Sequence, residues 1–174
     1  MRGARPERLV RGLLPSPIGT LQLLCDEAGA LRILDFDEDS PRTRRLVRVR
    51  YAGVAVADGP PPPGIADALA RYFAGELGAL AEIPYRLAGT DFQRAVWTAL
   101  TAIPPGETRT YAALAAAVGR PRASRAAGLA NGANPVGLVA PCHRVIGSDG
   151  AMTGYGGGIA RKRWLLAHEG AVLS

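Results

Sequence analysis

Short apolar segments separated by glycine and proline fill the first part of the chain. Residues 13–18, 21–25 and 31–36 are partly alternating apolar stretches, so we expect them to form a β-hairpin or meander. The arginine-rich stretch 42–50 is predicted to be a solvated helix or a strand edge. After a proline run that cannot be helical, apolar residues at helical spacing predict a helix over residues 65–74.

The second part of the chain changes to helical periods broken by tight turns. The join lies near residues 84–89, and Thr90 has the character of an N-cap for a helix over 92–102. Two shorter segments, 111–118 and 123–130, predict two more helices. Two short helices joined by a tight turn form a helix-turn-helix arrangement, although alanine-rich helices of this size can also be plain packing units.

These patterns predict an α+β protein. Its 174 residues can bury a core and suit one domain or two small ones. We expect an N-terminal sheet-containing α/β domain over residues 1–86. A helical domain that carries the helix-turn-helix would then span residues 87–174.

Basic charge is concentrated in the second part. The formal net charge of +6 and the sequence pI of about 10.0 suit a polyanionic partner. Residues 89–174 hold nine basic and four acidic side chains, whereas residues 1–88 hold 12 and 11. Coding bias remains an alternative source of part of this excess, because 20 of the 21 basic residues are arginine.

Composition also limits the compartment and the kinds of site. No run of about 18 apolar residues occurs, so no membrane span is expected. The first 11 residues carry four arginines without the apolar core of a signal peptide, which favours a cytoplasmic protein. Cys25 and Cys142 are expected to be free thiols. With only His143 and His168 beside them and no metal-ligand spacing, we predict no metal site.

The segment around the second cysteine is the most specific feature of the sequence. Residues 131–135, Asn-Gly-Ala-Asn-Pro, lead through an apolar stretch into Pro-Cys-His-Arg-Val at residues 141–145. This motif resembles that of the O6-alkylguanine-DNA alkyltransferases, the methylated-DNA–protein-cysteine methyltransferase family. The resemblance covers residues 87–174 strongly and the first half in outline. Further matching segments, in the family's order and spacing, are 92–97, 106–108, Tyr111, 124–126, 154–158 and 167–170.

The resemblance implies a fold and an activity. It implies a ribonuclease-H-like N-terminal domain with an antiparallel sheet, and a winged helix-turn-helix that binds the minor groove and flips the target base. The implied reaction is direct reversal: one irreversible transfer of an alkyl group to Cys142 from O6-alkylguanine, and from O4-methylthymine, in duplex DNA. It implies no cofactor and double-stranded DNA with alkylated guanine as partner. We therefore expect a nucleoid-associated monomer that does not bind membranes.

The chemistry requires activation of the cysteine. A free thiol has a pKa near 8.5 and is roughly a few per cent ionised at neutral pH, so the nucleophile needs a base. His143 adjoins Cys142, and neighbours in an extended strand point opposite ways, so a tight turn or a bridging water is needed. The resemblance implies a water between Cys142 and His143, with Glu169 orienting the histidine. It also implies that Tyr111 rotates the target phosphate and donates to guanine, and that Asn134 is a hinge.

The resemblance further assigns the DNA contacts and the base pocket. Arg125 would enter the duplex and fill the space of the flipped base, because O6 inside a base pair cannot reach a buried thiol. The Val145 carbonyl would contact the guanine amino group, and Tyr155 would lie near O6. Residues 154–158 are glycine-rich but lack the Gly-Lys-Ser/Thr of a phosphate loop. The predicted DNA-binding residues are Arg125, Tyr111, Ser124, Ala126, Arg94 and Arg122; the predicted pocket residues are Val145, Tyr155, Gly156 and Gly157.

Three other functions compete with this one. A helix-turn-helix damage sensor or transcription regulator would bind DNA without transfer, and Cys142 argues against it. A cysteine hydrolase would use Cys142 and His143 over multiple turnovers. A repair module of a regulatory protein is the third, although a cysteine-rich zinc domain is missing from this sequence.

Overall fold

The computed structural model describes residues 4–172, which divide into two compact units between Ala88 and Gly89. The first unit is built on a four-stranded sheet with the order β3-β2-β1-β4. Every residue of β2 and β3 is buried, so both faces of these strands are covered. The strands are β1 (Arg8–Leu14), β2 (Leu21–Asp26), β3 (Leu31–Phe36) and β4 (Ala55–Asp58).

Two features of the sheet differ from the prediction. The first strand precedes most of the predicted segment 13–18, since a turn closed by reciprocal backbone hydrogen bonds between Ser16 and Gly19 follows it. Proline at positions 15 and 17 also removes two donors from any ladder there. The fourth strand was not predicted, and it pairs with β1 in parallel, whereas β1–β2 and β2–β3 are antiparallel.

Two helices accompany this sheet. The arginine-rich stretch is a helix, α1 (Pro41–Arg50), and not a strand edge; the Ser40 side chain caps it by accepting from the Thr43 N–H. The helix α2 (Pro63–Phe73) begins two residues before the predicted one, because proline is favoured in the first turn. A 3₁₀ helix over Leu77–Glu82 follows it and was not predicted.

Within the described residues 89–172, the second unit contains four α-helices. They are α3 (Asp91–Leu100), α4 (Tyr111–Ala117), α5 (Ser124–Gly132) and α6 (Ile159–His168). Thr90 caps α3 in a full capping box with Gln93, as its sequence position predicts. The helices α4 and α5 pack together as the helix-turn-helix. A short parallel pair, β5 (Arg109–Thr110) and β6 (Val145–Ile146), lies beside them. The α+β prediction is confirmed, although α6 was not predicted.

Within residues 4–172, no helix is long and apolar enough to cross a membrane. The predicted absence of a signal peptide concerns the first 11 residues, and residues 1–3 of that segment lie outside the described part of the chain.

Candidate active site

Cys142 begins a single 3₁₀ turn, Cys142–Arg144, directly after Pro141. The Cys142 N–H donates to the Ala140 carbonyl at 2.8 Å, and the Arg144 N–H donates to the Pro141 carbonyl at 3.0 Å. The cysteine is buried with 8% of its surface exposed, and neither described cysteine is part of a disulfide. The cysteine and the histidine after it are therefore joined by a tight turn and not by an extended strand.

The segment that leads to this turn is held by its own hydrogen bonds. The buried Asn134 side chain donates from Nδ2 to the Ala140 carbonyl at 2.7 Å and accepts from the Val136 N–H at 3.1 Å. Between them Leu138 is fully buried at a φ of 67°. A leucine in this left-handed region costs on the order of 1–3 kcal/mol, which the surrounding contacts must offset. Asn134 thus clamps the approach to the cysteine.

A buried carboxylate connects the histidine and the arginine of the motif. His143 Nε2 lies 2.9 Å from Glu169 Oε1. Arg144 binds the same carboxylate through both oxygens, with Nη2 donating to Oε1 and Nε to Oε2, each at 2.8 Å. Its Nη1 donates to the Ile103 carbonyl at 2.5 Å. Sequence reasoning gave Arg144 no such role. Because Arg144 charge-balances Glu169, the cluster can be buried without a stranded charge.

The charges in this cluster define the protonation of His143. Burial alone would raise the pKa of Glu169, but hydrogen bonds from Arg144 and His143 outweigh it and hold the pKa far below 4.5. Burial lowers the pKa of His143 below 6.5, although Glu169 opposes that shift. An ionised carboxylate only accepts, so Nε2 carries the proton of the neutral ring. Nδ1 then presents a lone pair, and it has no hydrogen-bond partner within residues 4–172.

A buried lysine on α6 was missed by sequence reasoning. The Lys162 side chain is fully buried, and its Nζ donates to the Val145 carbonyl at 2.6 Å and to the Gly154 carbonyl at 3.4 Å. It forms no ion pair with a carboxylate in the described residues. Burial lowers its pKa, while the nearby Cys142 raises it. The sequence did contain a signal that this lysine is buried, because the apolar residues Leu165 and Leu166 follow it by three and four positions and so lie on the same helix face.

Two of the four predicted pocket residues, Val145 and Tyr155, contact the buried cluster. Val145 is fully buried and its carbonyl receives the Lys162 ammonium. The Tyr155 ring meets the His143 ring edge to face, with centroids 6.5 Å apart and planes at 76°. Gly156 is exposed, and Gly157 is half-buried with its carbonyl accepting from Arg161 at 3.2 Å.

Tyr111 links the helix-turn-helix to the glycine-rich loop. It is the first residue of α4, and its hydroxyl donates to the Thr153 carbonyl at 2.9 Å. Its ring lies against α5, where a Cβ added at Gly128 would be 3.4 Å from the ring carbon Cδ1. The small residues of α5 therefore leave room for the tyrosine ring.

The predicted DNA-binding arginines fall into two groups. Arg125 lies in the first turn of α5 and Arg122 in the turn before it; both are exposed, and their side chains form no hydrogen bond or ion pair within residues 4–172. The exposed residues Ser124 and Ala126 lie beside them. Arg94 differs, because it donates to the Gly89 carbonyl at 2.7 Å, pairs with Asp91, and leaves 18% of its side chain exposed. The Arg94 guanidinium is therefore already paired with a carboxylate of its own helix.

The other cysteine and both tryptophans lie outside this cluster. Burial raises the pKa of Cys25 to about 12, as for a structural thiol. Trp97 is fully buried and donates from Nε1 to the Ala130 carbonyl at 2.7 Å. Trp164 is only half-buried, and its ring stacks on that of His168 with the centroids 4.8 Å apart. No group of three or more potential metal ligands occurs in the described residues.

Comparison with known proteins gives two family matches that together cover most of the chain. Residues 91–171 match the DNA binding domain of 6-O-methylguanine DNA methyltransferase, and residues 9–87 match its ribonuclease-like domain. The methylated-DNA–protein-cysteine methyltransferase of Salmonella typhimurium is 46% identical over 168 residues, which is 95% of this chain and 98% of that protein. The protein of the same name from Methanosarcina barkeri is 42% identical over 157 residues, which is 90% of this chain and 94% of that protein.

Solved structures give the same result. The crystal structure of Mycobacterium tuberculosis OGT in complex with DNA superposes with a TM-score of 0.78 at 44% identity, and 92% of each chain is covered. The O6-methylguanine-DNA methyltransferase of the hyperthermophilic archaeon Pyrococcus kodakaraensis gives a TM-score of 0.68 at 26% identity, with 94% of this chain and 99% of that chain covered. The resemblance first seen around Cys142 is confirmed: this chain belongs to the 6-O-methylguanine DNA methyltransferase family.

Proposed function

We propose that this protein is a methylated-DNA–protein-cysteine methyltransferase that repairs DNA by direct reversal. In a single irreversible turnover it moves an alkyl group from O6-alkylguanine in duplex DNA to Cys142. One observation carries the assignment of the nucleophile. Cys142 shares a tight turn with a buried neutral histidine whose Nε2 is bonded to Glu169 and whose Nδ1 presents a lone pair without a partner.

The proposed transfer forms one bond between sulfur and carbon and breaks one bond between carbon and oxygen. His143 takes the thiol proton at Nδ1 through one water molecule, since buried polar atoms of this kind commonly bind a water. The Cys142 thiolate then forms a bond to the alkyl carbon as the bond from carbon to O6 breaks, and the electron pair leaves with O6. The departing guanine anion takes up a proton from the Tyr111 hydroxyl, and the proton that His143 accepted is returned through solvent to the tyrosinate, so that both side chains end neutral. The thioether product resists hydrolysis, so each molecule reacts once.

Other side chains have supporting roles in this proposal. Glu169 fixes the tautomer of His143 and stabilises its charged form during transfer, and Arg144 holds the Glu169 carboxylate in place. Lys162 favours the thiolate by its charge and holds the Val145 carbonyl, which accepts from the guanine amino group. Asn134 fixes the approach to the turn. Tyr155, Gly156 and Gly157 form the wall near O6.

DNA recognition is assigned to the second unit. Arg125 fills the space left by the flipped base, Arg122 contacts phosphates, and Ser124 and Ala126 allow α5 to approach the minor groove. Arg94 is expected to add little, because its guanidinium is already bonded to Asp91 and Gly89. We propose that residues 87–174 hold all the chemistry and residues 1–86 form a separate sheet domain. The protein would act as a monomer near the nucleoid, without a cofactor, and would also accept O4-methylthymine.

Intact-protein mass spectrometry tests this function directly. After incubation with a duplex that contains O6-methylguanine, the protein should gain about 14 Da, the mass of one transferred methyl group. Cys142→Ala should gain nothing under the same conditions. Tight binding without any gain in mass would favour a damage sensor. Repeated turnovers on an ester or peptide would instead favour a cysteine hydrolase.

A further inference from the structure

One large apolar side chain projects from the outer face of α5. Leu129 is 71% exposed, and the only other strongly exposed large apolar side chain in residues 89–172 is Val172. The inner face of the same helix is formed by Ala127, Ala130 and Asn131, which are buried. Leu129 therefore adds little to the core. A single exposed leucine is ordinary on a protein surface, so its surroundings must decide whether it has a function.

Those surroundings are specific. Leu129 follows Arg125 by four residues, which puts the two side chains on one face of the helix. Two further exposed arginines, Arg120 and Arg122, lie in the turn before α5 and form no ion pair in the described residues. The surface thus combines unpaired positive charge, small residues and one apolar side chain.

The minor groove of DNA has matching chemistry. Its rims are phosphates and its walls are the largely apolar edges of deoxyriboses, and proteins that bind there combine basic side chains with apolar ones. We propose that Leu129 packs against the sugar wall of the minor groove, one helical turn from Arg125. It supplies a part of the affinity that does not depend on salt. This inference rests on the proposed function, which turns this face of α5 towards DNA.

The test separates apolar from electrostatic binding. Dissociation constants for a short unmodified duplex are measured over a salt series for Leu129→Ala, Leu129→Gln and Leu129→Met. If DNA buries one to two carbon atoms of Leu129, the dissociation constants of the alanine and glutamine variants should rise by roughly four- to fifteenfold. Their salt slope should equal that of the unchanged protein, and Leu129→Met should bind like the unchanged protein.

Two control variants are measured in the same salt series. Val49→Ala truncates a side chain that is 61% exposed on α1 and should bind normally. Arg122→Ala should reduce the salt slope by about one. The inference is overturned if Leu129→Ala binds as tightly as the unchanged protein, if its salt slope falls, or if Leu129→Gln binds as well as Leu129→Met. Methyl transfer by the unchanged protein is followed in parallel; if that is absent, the proposed function fails, whatever Leu129 does.

Discussion

Replacing Glu169 by glutamine removes one charge from the centre of the buried cluster. The carboxylate accepts hydrogen bonds from His143 Nε2 at 2.9 Å and from Arg144 Nη2 and Nε at 2.8 Å each. An amide has one oxygen, so in either orientation its NH₂ group must face a donor. The Arg144 guanidinium also loses its counter-charge. Neutralising one partner of a buried ion pair costs about 3–5 kcal/mol of the free energy of unfolding.

The same change should slow alkyl transfer, because His143 loses both the acceptor that fixes its tautomer and the charge that stabilises its protonated form. Loss of a positioned general base typically slows a reaction by about 10²–10⁴-fold. Urea unfolding followed by circular dichroism measures the stability, and quenched-flow methyl transfer measures the rate. Glu107→Gln is the matched control, since its pair with Arg109 is half-exposed and worth at most about 1 kcal/mol.

A double variant tests the source of the lost stability. Adding Arg144→Met to Glu169→Gln removes the stranded cation, so part of the lost stability should return while transfer stays slow. If Glu169→Gln unfolds at the same urea concentration as Glu107→Gln, the buried cluster does not stabilise this fold as described. If the double variant is less stable than the sum of the two single changes, the stranded charge is not the source of the loss.

Three further changes test other contacts. The folded state holds His143 neutral with a pKa below 6.5, so the free energy of unfolding is at its full value above pH 6.5 and falls below it, by up to about 1.4 kcal/mol per pH unit. The lowered pKa of Glu169 adds a further loss below pH 4.5. A urea midpoint that stays constant from pH 6.5 to 4.5 would contradict the histidine effect. Lys162→Met keeps volume but removes the charge near Cys142, so the thiol pKa should rise and iodoacetamide labelling at pH 7 should slow about tenfold, unlike in the exposed Arg163→Met. Gly89→Ala puts a Cβ 2.6 Å from the buried Trp97 ring and should cost about 1–3 kcal/mol in thermal unfolding, whereas Gly64→Ala meets open space on α2 and should be neutral or stabilising.

The helices α3, α4 and α5 could be predicted because their signals are local. The Thr90 capping box and the tight turn between α4 and α5 each involve residues a few positions apart. The motif around Cys142 was likewise continuous in sequence, and it led to the family that the comparisons confirm. The roles given to its individual residues stay predictions until the variants are measured.

The features that the sequence did not reveal depend mainly on contacts between residues that are far apart in the chain. The strand β4 has no buried residue, so no apolar pattern marks it, and it exists through its pairing with β1 more than 40 residues earlier. Arg144 and Glu169 are 25 residues apart, and nothing local shows that they meet. Lys162 is different, because Leu165 and Leu166 follow it on one helix face and gave a local signal of burial. That signal was outweighed by the Arg-Lys-Arg run, which is typical of a solvated surface, yet the fold buries the Lys162 ammonium against two carbonyls.

The order of residues along the chain determines when the surroundings of the nucleophile are complete during synthesis. Cys142 and His143 are made before α6, the helix that carries Lys162 and is followed at once by Glu169. On the ribosome, a chain that ends before α6 therefore has the cysteine without the buried ammonium and carboxylate of the folded cluster. The cluster around Cys142 can form only after α6 and Glu169 have been made and have folded onto the motif.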